Sequence, residues 1–183
     1  MYSRDQGFTL IDLLIAISIL AILFGMAIPQ FSVIQAKAEA KSTTSAIRRS
    51  LAFGRQKAVV EQKHITVCGA DGNLRCEKNN PQNIIVFDDK NNDRQYTNDE
   101  ILYSNLALTY SGTLKLRASL GRSYIEFRSN GSAKQAGSFE YCKPGIPTAS
   151  RRVTISLPGR PYIGRDFDND GVVEDAKGKP IKC

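Results

Sequence analysis

The chain has 183 residues, with 25 Lys and Arg against 18 Asp and Glu, and a formal net charge of +7. This length suits one ordinary domain. Hydrophobic residues make up 42% and charged residues 23%, which excludes a wholly disordered chain, a collagen-like chain and a membrane protein with several spans. An uncharged run of 24 residues, Leu13 to Ala36, precedes a part that is rich in charge, so we expect the two parts to lie in different solvents.

The apolar run begins with LLIAISILAILFGMAI, which would span about 24 Å as a helix and nearly cross a bilayer core. No small-residue cleavage site of the A-x-A type follows Ile28, so we expect the run to stay in the mature protein. Asp12 stands at its start, where a carboxylate is costly in lipid unless it lies at the interface or pairs with a cation.

The sequence GFTLID at positions 7–12, followed by a long apolar helix with Pro29 inside it, resembles the class III signal of type IV pilins and pseudopilins. The resemblance implies cleavage after Gly7 by a prepilin peptidase on the cytoplasmic side and methylation of the new N-terminal Phe8. It implies that Asp12, where the family normally has Glu, neutralises the terminal amine of a neighbouring subunit in the filament core.

The helix is expected to continue beyond the apolar run. Gly25 and Pro29 are expected to kink or melt it, and the composition from Phe31 to about Gln62 again favours a helix. Three- and four-residue spacing gives this second half a weakly apolar face, formed by Ala40, Thr44, Ile47, Leu51, Gly54 and Ala58. The charges on its other faces indicate a solvated surface, formed by Lys41, Arg48, Arg49, Arg55 and Lys57.

After Gln62 the pattern changes to short β-like runs separated by turns. The predicted strands lie at 64–68, 83–87, 100–112, 113–118, 123–129, 138–142 and 151–157. Such runs favour an antiparallel sheet packed on the helix. The predicted fold class is α+β, with a long N-terminal helix, membrane-spanning in its first half, and a β-sheet head.

Three stretches of the head resemble the GspH/FimT group of minor pilins and pseudopilins. They are SAIRRSLAFGRQKAVVEQKHITVCGADGNLRC, IIVFDDKNNDRQYTNDEIL, and Cys142 followed after eight residues by RRVTISLPGR. The resemblance implies a leader at 1–7, a membrane and filament-core helix at 8–35, and a periplasmic head at 36–183. It implies a single-pass inner-membrane subunit that joins a pilus or pseudopilus, can reach the cell surface, and has prepilin peptidase and other major and minor pilins as partners.

Three functions follow as expectations. The first is a FimT/FimU-like minor pilin that takes part in initiation and assembly of a type IV pilus. The second is an H-type minor pseudopilin of a type II secretion system. The third is a nucleic-acid-binding module that serves DNA uptake.

Four cysteines lie on the side of the membrane segment that would be exported, and their even number points to two disulfides. Three pairings are possible. We predict Cys68 with Cys76, which closes a small loop, and Cys142 with Cys183, which pins the tail. His64 is the only histidine, so neither a zinc site nor a Ser-His-Asp set is indicated, and we expect no enzyme activity.

Two acidic loops are candidates for calcium, the one cofactor that the sequence suggests. In the first, Asp89, Asn91, Asp93 and Glu100 have the 1, 3, 5, 12 spacing of an EF-hand loop, although Arg94 replaces its glycine. The second begins D-x-D-x-D-G and consists of Asp166, Asp168, Asp170 and Gly171, with Glu174 or Asp175 as closing ligand. Ordinary turns use the same residues, so plain turns remain the alternative.

The basic tail is the candidate DNA-binding region. Its arginines are Arg151, Arg152, Arg160 and Arg165, with Tyr162 between the last two, and such side chains engage phosphates and stack on bases. The tail resembles that of FimT-like proteins of competent bacteria, which hold DNA with a Gly-Arg-x-Arg motif. This chain has GRPY at 159–162, so the second arginine of the motif is missing, and Arg165 is the nearest substitute.

Overall fold

The computed structural model describes residues 9–175 and 178–181, without the side chains of residues 25–29. The chain divides into two compact units, Met1–Gln35 and Ala36–Cys183. The predicted cleavage and methylation residues, Gly7 and Phe8, lie outside the described residues.

Helix α1 covers Leu10–Glu61. It is continuous through Gly25 and Pro29, and the kink expected there stays a prediction. Within the described part of the chain, no helix combines the length and the hydropathy of a membrane span.

The predicted apolar face of the second half of α1 is confirmed. Ala40, Thr44, Ile47, Leu51, Gly54 and Ala58 are all buried. Gly54 lies close to the sheet, because a Cβ built there would lie 2.4 Å from Cγ2 of Val67. The missing side chain at Gly54 therefore makes room for strand β1 at this point of the helix.

In the part of the chain that the structure describes, eight antiparallel strands follow the helix and form two four-stranded sheets. The first sheet has the order β3-β2-β1-β5, with β1 at Ile65–Ala70, β2 at Asn83–Asp88, β3 at Leu102–Ala107 and β5 at Tyr124–Phe127. The second has the order β4-β6-β7-β8, with β4 at Thr113–Ala118, β6 at Gly137–Cys142, β7 at Arg151–Ile155 and β8 at Pro161–Ile163.

The division into two sheets differs from the single predicted sheet. It arises between β4 and β5, where a short 3-10 turn occupies Ser119–Gly121. Leu120 and Gly121 have φ values of 61° and 66°, so the chain reverses there and β5 pairs with β1 instead of β4. Strand β8, which the sequence pattern did not predict, is a three-residue strand that begins at Pro161 and pairs with β7.

One core fills the head. It combines the helix residues with side chains of both sheets, among them Val67, Ile125, Leu114, Phe139 and Val153. A smaller cluster, Cys68, Ala70, Ile85 and Phe87, lies on the other face of β1 and β2. These two strands are thus covered on both faces, and their side chains point alternately into the two clusters.

Candidate functional site

The first turn of α1 carries a reciprocal cap. The backbone N–H of Thr9 donates to Oδ2 of Asp12 at 3.1 Å, and the backbone N–H of Asp12 donates to Oγ1 of Thr9 at 3.2 Å. This is the geometry of a capping box, which satisfies two amide groups that the helix leaves open. Asp12 therefore has a local role at the helix start, besides the pairing with a neighbouring subunit that the sequence predicts.

The first part of α1 presents large apolar side chains to the surface on all sides. Their exposed fractions include 74% for Leu10, 51% for Ile17 and 61% for Phe24. The exposed set consists of Leu10, Ile11, Leu13, Leu14, Ile15, Ile17, Ile19, Leu20, Ile22, Leu23 and Phe24. An apolar surface of this extent marks a segment that is covered by something outside the chain.

Glu39 joins α1 to the loop before β4 and to β6. Its Oε1 accepts hydrogen bonds from the Ser111 backbone N–H at 2.6 Å and from the Tyr141 hydroxyl, and its Oε2 accepts one from the Ser111 hydroxyl at 2.8 Å. Burial opposes the charge, but these bonds and the nearby ammonium of Lys143 outweigh it and lower the pKa of Glu39 to about 2. The charged carboxylate thus links the second half of α1 to the loop before β4 and to strand β6.

Four arginines come together beside α1. Arg48, Arg49 and Arg55 of the helix and Arg160 of the loop after β7 line one open concavity of about 400 Å³, together with Ala52 and Pro161. We refer to these four as the arginine cluster. Clustered guanidinium groups on one face favour polyanions.

Backbone contacts of Gly131 explain how Arg160 reaches the helix. Nε of Arg55 donates to the carbonyl oxygen of Gly131 at 2.9 Å. Gly159 has a φ of +80°, and a Cβ there would lie 2.1 Å from the same oxygen. Only glycine fits this approach, and it places the following residue, Arg160, next to Arg55.

The other tail arginines do not line the concavity of the arginine cluster. Arg152 is 12% exposed in its side chain, its Nε lies 3.7 Å from Oε1 of Glu140, and its Nη1 donates to the Glu174 carbonyl oxygen at 3.4 Å. Arg151 is half-buried in β7. Arg165 is exposed and lines a different cavity, of about 700 Å³, which also contains Arg152.

Sequence reasoning treated the helix arginines as ordinary solvated charges, so it missed the arginine cluster. A signal was present, since Arg48 and Arg55 are seven residues apart and therefore share one helix face. The sequence did not predict that the tail returns to that face of the helix.

The predicted tail ligands converge. Carboxylate oxygens of Asp166, Asp168, Asp170 and Glu174 all lie within 4.8 Å of one another. Oδ2 of Asp166 accepts the Gly171 N–H at 2.8 Å, and Oε2 of the buried Glu174 accepts the Phe167 N–H at 3.0 Å. An all-oxygen donor set of this kind suits calcium, and calcium binding in the tail loop stays a prediction.

The hairpin loop between β2 and β3 repeats the turn of the tail loop. Oδ2 of Asp89 accepts the Arg94 N–H at 3.1 Å, five residues on, as Asp166 does with Gly171. Arg94 has a φ of 65°, the left-handed conformation that glycine usually supplies. Burial, and after it the negative charge of Glu100, raises the pKa of Asp89.

The disulfide between Cys68 and Cys76 is confirmed. Cys142 carries no free thiol, and its predicted partner Cys183 lies outside the described residues, so that pairing stays a prediction. His64 lies beside a carboxylate, with Nδ1 at 3.2 Å from Oε1 of Glu126.

Comparisons with known proteins identify the family of the chain. Residues 43–159 match the family of the type II transport protein GspH, and residues 2–28 match the prokaryotic N-terminal methylation motif. A search of curated proteins finds no significant match.

Similar solved structures include the type IV minor pilin FimU of Pseudomonas aeruginosa, which is 17% identical in sequence. The alignment covers 70% of this chain and 90% of that chain, with a TM-score of 0.48. Another is the minor pseudopilin EpsH from the type II secretion system of Vibrio cholerae, with 16% identity, 68% and 95% covered, and a TM-score of 0.45.

The GspH match covers more than half of the chain, and the methylation motif precedes it. The chain therefore belongs to the family of the type II transport protein GspH, the family of minor pilins and pseudopilins that the sequence predicts.

Proposed function

We propose that this chain is a non-enzymatic minor pilin of the FimT/FimU kind, which inserts by its N-terminal helix into the initiation complex of a type IV pilus. The observation that carries the proposal is the exposed apolar surface of α1 from Leu10 to Phe24, which lies within the match to the methylation motif. This part of the helix is held in the inner membrane before assembly and among other pilin helices afterwards. The head lies in the periplasm and reaches the cell surface with the pilus.

Processing by prepilin peptidase tests the first step of this proposal. Cleavage after Gly7 leaves Phe8 as the methylated N-terminus. Mass spectrometry of the protein from a peptidase deletion strain should show the precursor, which still carries MYSRDQG. Removal of the leader in that strain would contradict the proposal.

Variants of Asp12 test the pairing with a neighbouring subunit and separate it from the local cap. Asp12→Glu keeps both the charge and the capping box, so assembly should be unimpaired. Asp12→Asn keeps a side-chain oxygen for the cap but loses the charge, and Asp12→Ala loses both; we expect impaired piliation in both variants. Normal piliation in Asp12→Asn would refute the charge pairing.

A minor pseudopilin of a type II secretion system is the alternative within the family. Deletion of the gene followed by assays of twitching and exoprotein export distinguishes the two. Loss of twitching with normal export supports the pilus. Loss of export with normal twitching assigns the chain to secretion.

DNA binding is a second candidate function, which the arginine cluster supports. The cluster adds three helix arginines to Arg160. Arg152 is less suited to contact phosphate, since its side chain is 12% exposed and lies near Glu140. Such a surface binds duplex DNA through phosphates, with little sequence preference and with an affinity that falls steeply with salt.

Fluorescence anisotropy with labelled duplex DNA and the full chain in neutral detergent tests this candidate. Arg160→Ala and Arg55→Ala should each weaken binding about tenfold at low salt and reduce the salt dependence. Lys41→Ala, an exposed helix lysine outside the cluster, is the matched control and should have a much smaller effect. Equal losses in all three variants would indicate diffuse attraction to a basic protein instead.

A further inference from the structure

The loop Asp89–Glu100 contains a buried carboxylate oxygen for which the structure provides no donor. Asp89 is 4% exposed, and its Oδ2 accepts the Arg94 N–H, but its Oδ1 is buried and has no hydrogen-bond partner. Buried polar oxygens in folded proteins are normally satisfied, so Oδ1 of Asp89 calls for a ligand.

A second buried carboxylate lies in the same loop. Glu100 is 6% exposed, its Oε1 accepts the Lys90 N–H at 3.0 Å, and its Oε2 accepts the Thr97 N–H at 2.9 Å. Across the described residues, the ion pairs of the chain include neither Asp89 nor Glu100. Two acids are therefore withdrawn from water in one loop without a salt-bridge partner, which is costly unless a cation joins them.

We propose that this loop binds a calcium ion through Asp89, Asn91, Asp93 and Glu100. These residues stand at positions 1, 3, 5 and 12 of a twelve-residue loop and offer only oxygen ligands, which calcium prefers. Calcium suits the loop better than magnesium, because it accepts more ligands and less regular geometry. The proposal is independent of the assignment to a pilus or a secretion system.

The backbone of the loop already has the required turn. Asp93 N–H donates to Oδ1 of Asn91 at 2.9 Å, and Gln95 N–H donates to Oδ1 of Asp93 at 2.7 Å. Arg94 supplies the left-handed conformation at position 6. The replacement of glycine by arginine at this position therefore does not prevent the turn, although it adds conformational strain.

The position of the loop indicates what the ion does. Oε1 of Gln95 accepts the Cys76 N–H at 2.9 Å, which ties the loop to the disulfide. The ring of Tyr96 packs edge-on against Phe87 with centroids 5.9 Å apart. Calcium bound in this loop thus stabilises the loop where it packs over the smaller apolar cluster on β1 and β2.

Thermal unfolding of the full chain in neutral detergent, with EGTA or with calcium, tests the proposal. At a calcium concentration about a hundred times the dissociation constant, we expect Tm to rise by about 5–10 °C. Asp89→Asn and Glu100→Gln should each lose at least half of this rise. Asp166→Asn, which changes the equivalent residue of the tail loop, is the matched control. This variant should keep at least half of the calcium-dependent rise in Tm.

A second readout does not depend on stability. Terbium, a luminescent substitute for calcium, should show emission sensitised by Tyr96 in the wild type, and Asp89→Asn or Tyr96→Phe should remove most of it. In EGTA, Asp89→Asn should be at least as stable as the wild type, because a neutral amide replaces an unpartnered carboxylate. No calcium effect in the wild type, an unchanged effect in Asp89→Asn, or an equal effect of magnesium would each overturn the proposal.

Discussion

Single side chains connect the second half of α1 to the strands, and Glu39 is the clearest case. One carboxylate accepts hydrogen bonds from Ser111 and Tyr141 and lies close to Lys143, so its charged form is strongly favoured. Burial, and after it the same contact with Glu39, raises the pKa of Tyr141. Both shifts express one fact, namely that folding fixes the proton on the phenol and keeps it off the acid.

Glu39→Gln should lower the free energy of unfolding by about 1–3 kcal/mol at neutral pH, because a charged acceptor with several donors becomes neutral. The folded-state pKa is about 2, below the ordinary value of 4.5, so this stabilisation is complete above pH 4.5 and is lost as the pH falls towards 2. Urea unfolding of both proteins at pH 6 and pH 3 checks this. A difference that grows towards acid would contradict it.

Packing between α1 and the first sheet decides whether a substitution in α1 raises or lowers the stability of the protein. In an isolated helix, Gly54→Ala would be favourable by about 1 kcal/mol. Here the new methyl group would meet Cγ2 of Val67, a stiff side chain in the buried strand β1. We expect Gly54→Ala to destabilise the protein by about 1–3 kcal/mol in chemical unfolding.

The control for Gly54 is its exposed neighbour Ala52. Ala52→Gly should cost about 1 kcal/mol through helix propensity alone. If Gly54→Ala stabilised the protein by the amount that Ala52→Gly destabilises it, contact with β1 would be unimportant.

The disulfide between Cys68 and Cys76 closes a small loop between β1 and β2. The double variant Cys68→Ala, Cys76→Ala should lose about 2–3 kcal/mol of stability, a lowering of Tm by about 5–10 °C. Calorimetry measures this without a reducing agent, so that Cys142 is left as it is. An unchanged Tm would mean that the contacts of the loop hold it without the bond.

At the scale of the whole molecule, the two units should differ in the solvent that they require. Residues 36–183 have their own core, whereas residues 10–24 expose their large apolar side chains. The full chain should sediment with membranes, and the chain from Ala36 should stay in solution with a Tm within about 5 °C of the full chain, since the residues of its core begin at Ala40. Aggregation of the shorter chain would contradict this.

The sequence was sufficient for the features that depend on local pattern. The helix face from Ala40 to Ala58 and most of the strands follow from periodicity and turn residues, and the first disulfide joins the two cysteines that lie nearest in sequence. The separation into two sheets did not follow, because it depends on a left-handed Leu120, which no propensity favours. The arginine cluster did not follow either, because Gly159 brings Arg160 to residues that precede it by more than a hundred positions.

The position of β1 has a consequence for the order of folding. Its partner β2 follows after a short connection, but its other partner, β5, begins 59 residues after β1 does. Closing that long segment costs more chain entropy than forming the hairpin. We therefore expect β1 and β2 to pair first, with both cysteines of the small loop already close, so that oxidation can precede the arrival of β5 and the completion of the sheet.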